Sequence, residues 1–235
     1  MKLINPKLIA SILGTASLAL TLTAFPTATQ ASDTFSDSEI SGPTGYFKSS
    51  KAQFAFHWKN LKTDSGVQTI LIFGDFHKPQ IQLGMPSLNN ISKDRKTFTS
   101  EYKFISSKGK LLTQKYYFPI KKLSDNSYQI HLAYHDGARV PSANGKSYVF
   151  TKSAASPAKS YAHKYSAKVL KKEYTLQLQA SAEKQYRKEK AKGKRVSDPA
   201  TNKTMQKKIA KRANAAVAKS VKQIIKGFNY SDSSK

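Results

Sequence analysis

The stretch Gln53-Phe54-Ala55-Phe56-His57-Trp58 decides how the first half of this chain folds. Phe54, Phe56 and Trp58 fall on every second position, with Gln53, Ala55 and His57 between them. A period of two sends successive side chains to opposite faces of a strand, so the three large rings share one face and demand burial there. Thr63-Asp64-Ser65-Gly66 follows as a turn, and 67–73 as a nearly continuous apolar run. The alternation returns at Phe98, Ser100, Tyr102 and Phe104, and Lys108-Gly109 signals a tight hairpin into 111–118. Ser124-Asp125-Asn126 turns the chain into Tyr128, Ile130, Leu132 and Tyr134. Asp136-Gly137 and Asn144-Gly145 punctuate the path to Tyr148 and Phe150, and Gly84 in Leu83-Gly84-Met85-Pro86 reads as a turn.

About seven short strands over 46–152 predict a small antiparallel β-sandwich or a partly open barrel. Each large side chain buried contributes roughly 1.5–3 kcal/mol, so the aromatic rows suffice for independent folding. The chain has no cysteine, so an ordinary core and not disulfides must hold it.

From 153 the composition changes, and 153–235 reads as a basic helical tail. Ser156-Pro157 is a helix start, Lys, Ala, Gln, Glu and Leu dominate up to Lys192, and Gly193 ends the run. Asp198-Pro199 repeats the start, and Gly227 reads as the stop. Met205, Ile209, Ala213, Ala216, Val217, Ile224 and Phe228 recur at helical spacing along this run and form an apolar stripe. The first helix is less regular: Tyr165, Val169, Leu176 and Ala180 share a face, with Leu170, Tyr174 and Leu178 beside it. The expected fold class is therefore α+β, a β domain followed by a basic C-terminal helical hairpin with its stripes together.

The opening residues point to export. Lys2 and Lys7 flank a basic start, an apolar run follows over 8–24, and small residues lead to Thr29-Gln30-Ala31. That order predicts a secretory signal peptide over 1–31, cleaved after Ala31. The following 32–45, rich in Ser, Thr and Asp with a Gly42-Pro43 pair, reads as a flexible linker. No second hydrophobic span occurs, so no transmembrane segment is expected in the mature protein. The absence of cysteine excludes a lipid-modified cysteine, and 231–235 shows no anchor pattern.

Charge narrows the partner. Forty Lys and Arg stand against fourteen Asp and Glu, a formal net charge of +26. The β half mixes both signs, whereas the tail sets Glu173, Glu183, Glu189, Asp198 and Asp232 against a large excess of lysine. Candidate polyanion-binding residues are Lys188, Lys190, Lys192, Lys194, Arg195, Lys203, Lys207, Lys208, Lys211, Arg212, Lys219 and Lys222. Lysine outnumbers arginine heavily, which favours diffuse Coulomb attraction over bidentate recognition. No helix-turn-helix, zinc-finger or RNA-binding pattern appears, so sequence-specific nucleic-acid reading is not expected. The expectation is a secreted, non-enzymatic binding protein, held on the outside of the cell envelope by anionic envelope polymers or an anionic lipid surface. A cationic membrane-active factor is an alternative, although the second helix is Ala-rich with Phe228 as its bulky anchor.

Chemistry-bearing residues are few. Asp75 and His77 share a face near a strand end, and with His57 they are the candidates for a hydrolase acting on a wall or surface polymer. His131 and His135 lie four residues apart on a strand, about 13 Å, too far to share one metal. No metal site is expected. Tyr161-Ala162-His163-Lys164-Tyr165 has a Tyr-x-x-x-Tyr spacing that distantly resembles the haem-ligating strand of near-iron-transporter domains. The resemblance covers these residues alone and implies Tyr165 or Tyr161 as an iron ligand. Read from the residues themselves, the two tyrosines follow a helix start and pack one turn apart, and no cofactor is expected.

Overall fold

The computed structural model describes residues 33–41, 43–63, 66–132, 140, 142–143 and 145–230. The expected signal peptide, Asp64-Ser65, Tyr134, His135, Asp136-Gly137, Asn144 and 231–235 lie outside them.

The aromatic alternation builds eight strands: β1 Tyr46–Lys48, β2 Phe54–Thr63, β3 Gly66–Asp75, β4 Gln80–Ile91, β5 Thr97–Ile105, β6 Leu111–Ser124, β7 Ser127–His131 and β8 Ser147–Ser153. Each pairs antiparallel with the next, and β1 also pairs with β8, so the sheet is a closed barrel. This corrects the expected sandwich or partly open barrel. Alternation reports which face a residue occupies but not whether the last strand meets the first. Here the three-residue β1 makes that seam, with Phe47 opposite Phe56 on one side and Lys152 on the other.

The strand β4 corrects a second expectation. Gly84 lies within it, between Leu71 and Phe104, and makes no turn. A Cβ at Gly84 would sit 2.6 Å from the Tyr102 ring, so glycine is needed for that ring to fill the interior. A register shift between Pro86 and Leu88 accommodates the proline, which has no N–H to give a ladder.

Two apolar cores result. Inside the barrel lie Phe54, Phe56, Trp58, Phe73, Phe98, Tyr102, Phe104, Tyr116, Phe118, Tyr128 and Phe150, all buried. Phe56 stacks on Phe47 and meets Phe118 edge-on, each at 4.7 Å between ring centres. The second core lies outside the wall, where Ala55, Ile70, Ile72, Phe76, Leu83 and Ile105 meet the helices. The continuous apolar run in β3 follows from this: Leu71 and Phe73 face inward, Ile70 and Ile72 outward, and both rows are buried.

The helices are α1 Asp37–Ser41, α2 Ala158–Tyr161, a π-helical turn Ala162–Ser166, α3 Ala167–Ala191 and α4 Lys203–Asn229. Ser156 Oγ accepts the Ala158 N–H, and Gly193, at φ +77°, follows the end of α3 as its sequence position predicts. The expected start at Asp198 moves to Asn202, whose side chain accepts the Met205 N–H at 3.0 Å. Asp198 instead caps a tight turn by accepting the Ala200 N–H. The stop likewise moves past Gly227 to Tyr230, at φ 46°.

Seating on the barrel involves the two outer ends of the helical region. Tyr161, Leu170, Val221, Ile224 and Phe228 enter the second core, and Ser166 Oγ donates to the Phe76 carbonyl at 2.7 Å. The Phe228 ring approaches so closely that a Cβ on Gly74 would lie 2.6 Å from it. α3 and α4 pack on each other, with the hydroxyls of Tyr174 and Ser220 2.7 Å apart. Leu170 is the buried residue of α3, and Leu176 on the other expected face is 56% exposed. Among the described residues no helix is long and apolar enough to cross a membrane.

The stretch 33–41, read as part of a linker, is docked in one mouth of the barrel. Phe35 is buried against Phe98 and Tyr128. Lys122 Nζ donates to the Thr34 carbonyl and to Glu39, while Arg95 grips the Phe35 carbonyl and Asp37. Lys96 pairs with Asp33.

Candidate functional site

The far end of the helical region, away from the seating on the barrel, concentrates the charge. Between Lys184 and Arg212 the sequence carries twelve Lys and Arg against Glu189 and Asp198. All twelve are exposed. Lys188 and Lys190 lie near the end of α3, Lys192, Lys194 and Arg195 on the connection, and Lys203, Lys207, Lys208, Lys211 and Arg212 on the first turns of α4. Lys203, Lys207 and Lys211 form one row at four-residue spacing, where like charges repel by a few tenths of a kcal/mol per pair. Among the described residues Glu189 makes the ion pairs of this segment, to Lys192 at 3.4 Å and Lys194 at 2.6 Å. Lys219 and Lys222 are exposed too, but flank the buried Ser220 and Val221 nearer the barrel.

The hydrolase candidates do not converge. Asp75 pairs with Phe54 on the inward-facing row at the end of β3 and is buried. Its carboxylate accepts the amides of His77 at 3.0 Å, Lys78 at 2.9 Å and Ser142 at 2.9 Å, so it pins the β3–β4 turn to the loop before β8. His77 is exposed beyond the strand. His57 lies on the outer wall opposite Ile72, buried under α4, with Nε2 2.7 Å from the Phe228 carbonyl and Nδ1 3.2 Å from the Trp58 carbonyl. Burial holds its pKa below the ordinary histidine value, against the two carbonyls that favour the charged ring. These are three separate structural positions. His131 is exposed, with Nδ1 3.3 Å from Ser147 Oγ, and His135 lies outside the described residues. No group of three metal-ligating side chains occurs among the described residues.

Tyr161 and Tyr165 sit on helical backbone, not on a strand. The Tyr161 hydroxyl donates to the Ser49 carbonyl and accepts the Ser49 N–H at 2.8 Å, which ties α2 to the chain between β1 and β2. Burial pushes its pKa up to about 12. Tyr165 meets the Tyr161 ring edge-on at 5.4 Å, with Lys164 Nζ 5.0 Å from its own ring centre. The Tyr161 hydroxyl is thus engaged with backbone, and the pair packs as two neighbouring helical rings.

Sequence reasoning missed the barrel mouth under α1. Phe35, Glu39, Phe47, Trp58, Phe98 and Tyr128 line a chamber of about 220 Å³ there. A more open cleft of about 670 Å³ adjoins it, bordered by Tyr46, His57, Lys59, Asn126 and Asn229, and Thr44, Trp58 and Lys152 line both spaces. Burial raises the pKa of Glu39, but the Ser36 amide, Lys122 and the Tyr128 hydroxyl outweigh it and hold the carboxyl below its usual value. Burial and the neighbouring Glu39 both push the Tyr128 hydroxyl up. The only sequence hint was Phe35, a large ring in an otherwise polar stretch. No protein-family model matches the chain, and comparison with curated proteins gives no match.

Proposed function

We propose that this is a secreted, non-enzymatic binding protein that attaches to anionic polymers or anionic lipid surfaces on the outside of the cell envelope through the far end of α3 and α4. The carrying observation is the set of twelve exposed cations between Lys184 and Arg212, balanced inside the protein by Glu189 and Asp198. A one-sided charge excess destabilises the compact state by self-repulsion, and a polyanion relieves it. The lysine-rich composition fits a diffuse contact with a flexible polymer better than a bidentate one. The apolar stripe of α4 is engaged within the fold, where Ile209, Ala213, Val221, Ile224 and Phe228 are buried, so the helix offers cations to a surface and not an inserting face.

The test is retention on heparin and on anionic vesicles at low ionic strength, with elution by moderate salt as the exposed charges are screened. Replacing Lys188, Lys190, Lys203, Lys207, Lys208 and Lys211 by Gln should move elution to much lower salt. Equal retention of this six-site variant, or a wild-type protein that passes every acidic matrix, would defeat the proposal.

A further inference from the structure

We infer that the barrel mouth is a separate binding site for a small aromatic anion, its ring in the smaller chamber and its charged group at Lys152. Thr44, Trp58 and Lys152 border both the chamber of about 220 Å³ and the open cleft of about 670 Å³. At about 220 Å³ the chamber lies below the usual range of small-molecule sites, about 300–1,000 Å³, which suits a single ring with its charged group outside. The chamber wall is aromatic: Phe35 lies 5.9 Å from Phe98 and 6.0 Å from Tyr128, and Phe47 lies 5.7 Å from Trp58, centre to centre. A further ring entering this cluster gains offset and edge-on contacts of the same kind. Trp58, which lines the chamber, has its Nε1 buried without a hydrogen-bond partner.

The charges around the mouth favour an anion at one place. Glu39 borders the chamber, but its carboxylate is compensated by Lys122 Nζ at 2.9 Å, the Tyr128 hydroxyl at 3.1 Å and the Ser36 amide at 2.9 Å. The Lys59 ammonium in the cleft is committed to the carbonyls of Tyr230 at 2.6 Å and Asn229 at 3.4 Å. Lys152 Nζ stands 4.0 Å from Glu39 Oε1, beyond direct hydrogen-bond distance, with its side chain 31% exposed. Asp125 lines the cleft and not the chamber. Lys152 is therefore the ammonium bordering both spaces with donor capacity for a carboxylate.

Trp58 is the single tryptophan of the chain and reports directly on the site. The full-length protein is titrated with 3-phenylpropionate and, separately, with the uncharged 3-phenylpropanol, reading Trp58 emission. The expected result is a saturable change with the acid and an affinity about tenfold lower for the alcohol, the difference a charge-assisted hydrogen bond makes. Lys152→Gln should reduce the acid to the level of the alcohol. Thr44→Phe, which adds a ring at an exposed position bordering both spaces, should abolish the response while leaving the thermal melt unchanged. The six-site lysine variant described above should bind 3-phenylpropionate like the wild type, which separates this site from the polyanion reading. Absence of a saturable response overturns the inference. So does equal affinity for acid and alcohol, an unaltered response in Lys152→Gln or in a folded Thr44→Phe, or loss of binding in the six-site variant.

Discussion

The barrel and the far end of the helical region use charge in opposite ways. On the barrel and its docked stretch several carboxylates each have a basic partner: Glu39 has Lys122, Glu101 has Lys115, Asp37 has Arg95 and Asp33 has Lys96. At the far end of α3 and α4, Glu189 and its two lysine partners are the comparable arrangement among the described residues. The matched charges seat a segment and close a barrel mouth. Of the other cations at the far end, Lys190 lies over the Tyr186 ring at 5.6 Å. On the proposed reading, what a charge does for the fold and what it offers to a partner are divided between regions, and the division can be attacked from either side.

The largest effect is expected at the seam between them. Phe228→Ala removes the ring that rests on Gly74, Phe76 and His57, and should lower the unfolding free energy by about 3–5 kcal/mol in urea titration. A smaller loss, within the range of surface changes, would mean that the helices are appended to the barrel and not part of its fold. Gly74→Val attacks the same seam from the barrel side. Its new side chain meets the Phe228 and Phe76 rings, and a cost of about 1–3 kcal/mol is expected from calorimetric melts. Tyr161→Phe leaves the Ser49 amide and carbonyl without their partner, and about 1–3 kcal/mol should be lost in the same assay.

His57 sharpens the comparison through pH. Its folded pKa lies below the ordinary 6.5, so the unfolded chain takes up a proton first. The stability this neutral ring contributes is complete above about 6.5 and is lost as pH falls from there toward the lower folded value. Melting temperatures between pH 7.5 and 5 should decline more steeply in the wild type than in His57→Gln; parallel curves would remove His57 from the seam. The smallest effect is expected at the other region. The six-site lysine variant should change stability by no more than about 0.5 kcal/mol, while changing retention on a polyanion the most. A large stability change there would show that those lysines serve the fold after all.

Much of the barrel was legible because its inward rows are aromatic. Phe54, Phe56 and Trp58 in β2, and Phe98, Tyr102 and Phe104 in β5, announce both strand and face. β4 was not legible, since its inward positions include Gln82 and Gly84 and its middle is interrupted at Pro86. Closure depends on three residues, too few to carry a period. The docking of 33–41 rests on one ring and on ion pairs with partners far along the chain, which no local pattern encodes. The Asp75–His77 spacing marked a real contact of a different kind: the carboxylate accepts the backbone amide of His77, a turn-forming role of aspartate that resembles an acid–base pair in sequence. The basic run was visible from composition alone, and the structure adds that its twelve cations stand exposed.

The pairing of β1 with β8 has a consequence for life on a crowded surface. If an acidic matrix gathers the molecules as proposed, they reach high local density, and a sheet with an open margin would then offer its unsatisfied amides and carbonyls as a template for the neighbouring copy. The β1–β8 pairing covers that margin along Tyr46–Lys48 and Thr151–Ser153 and so shortens the template that a neighbouring copy would meet.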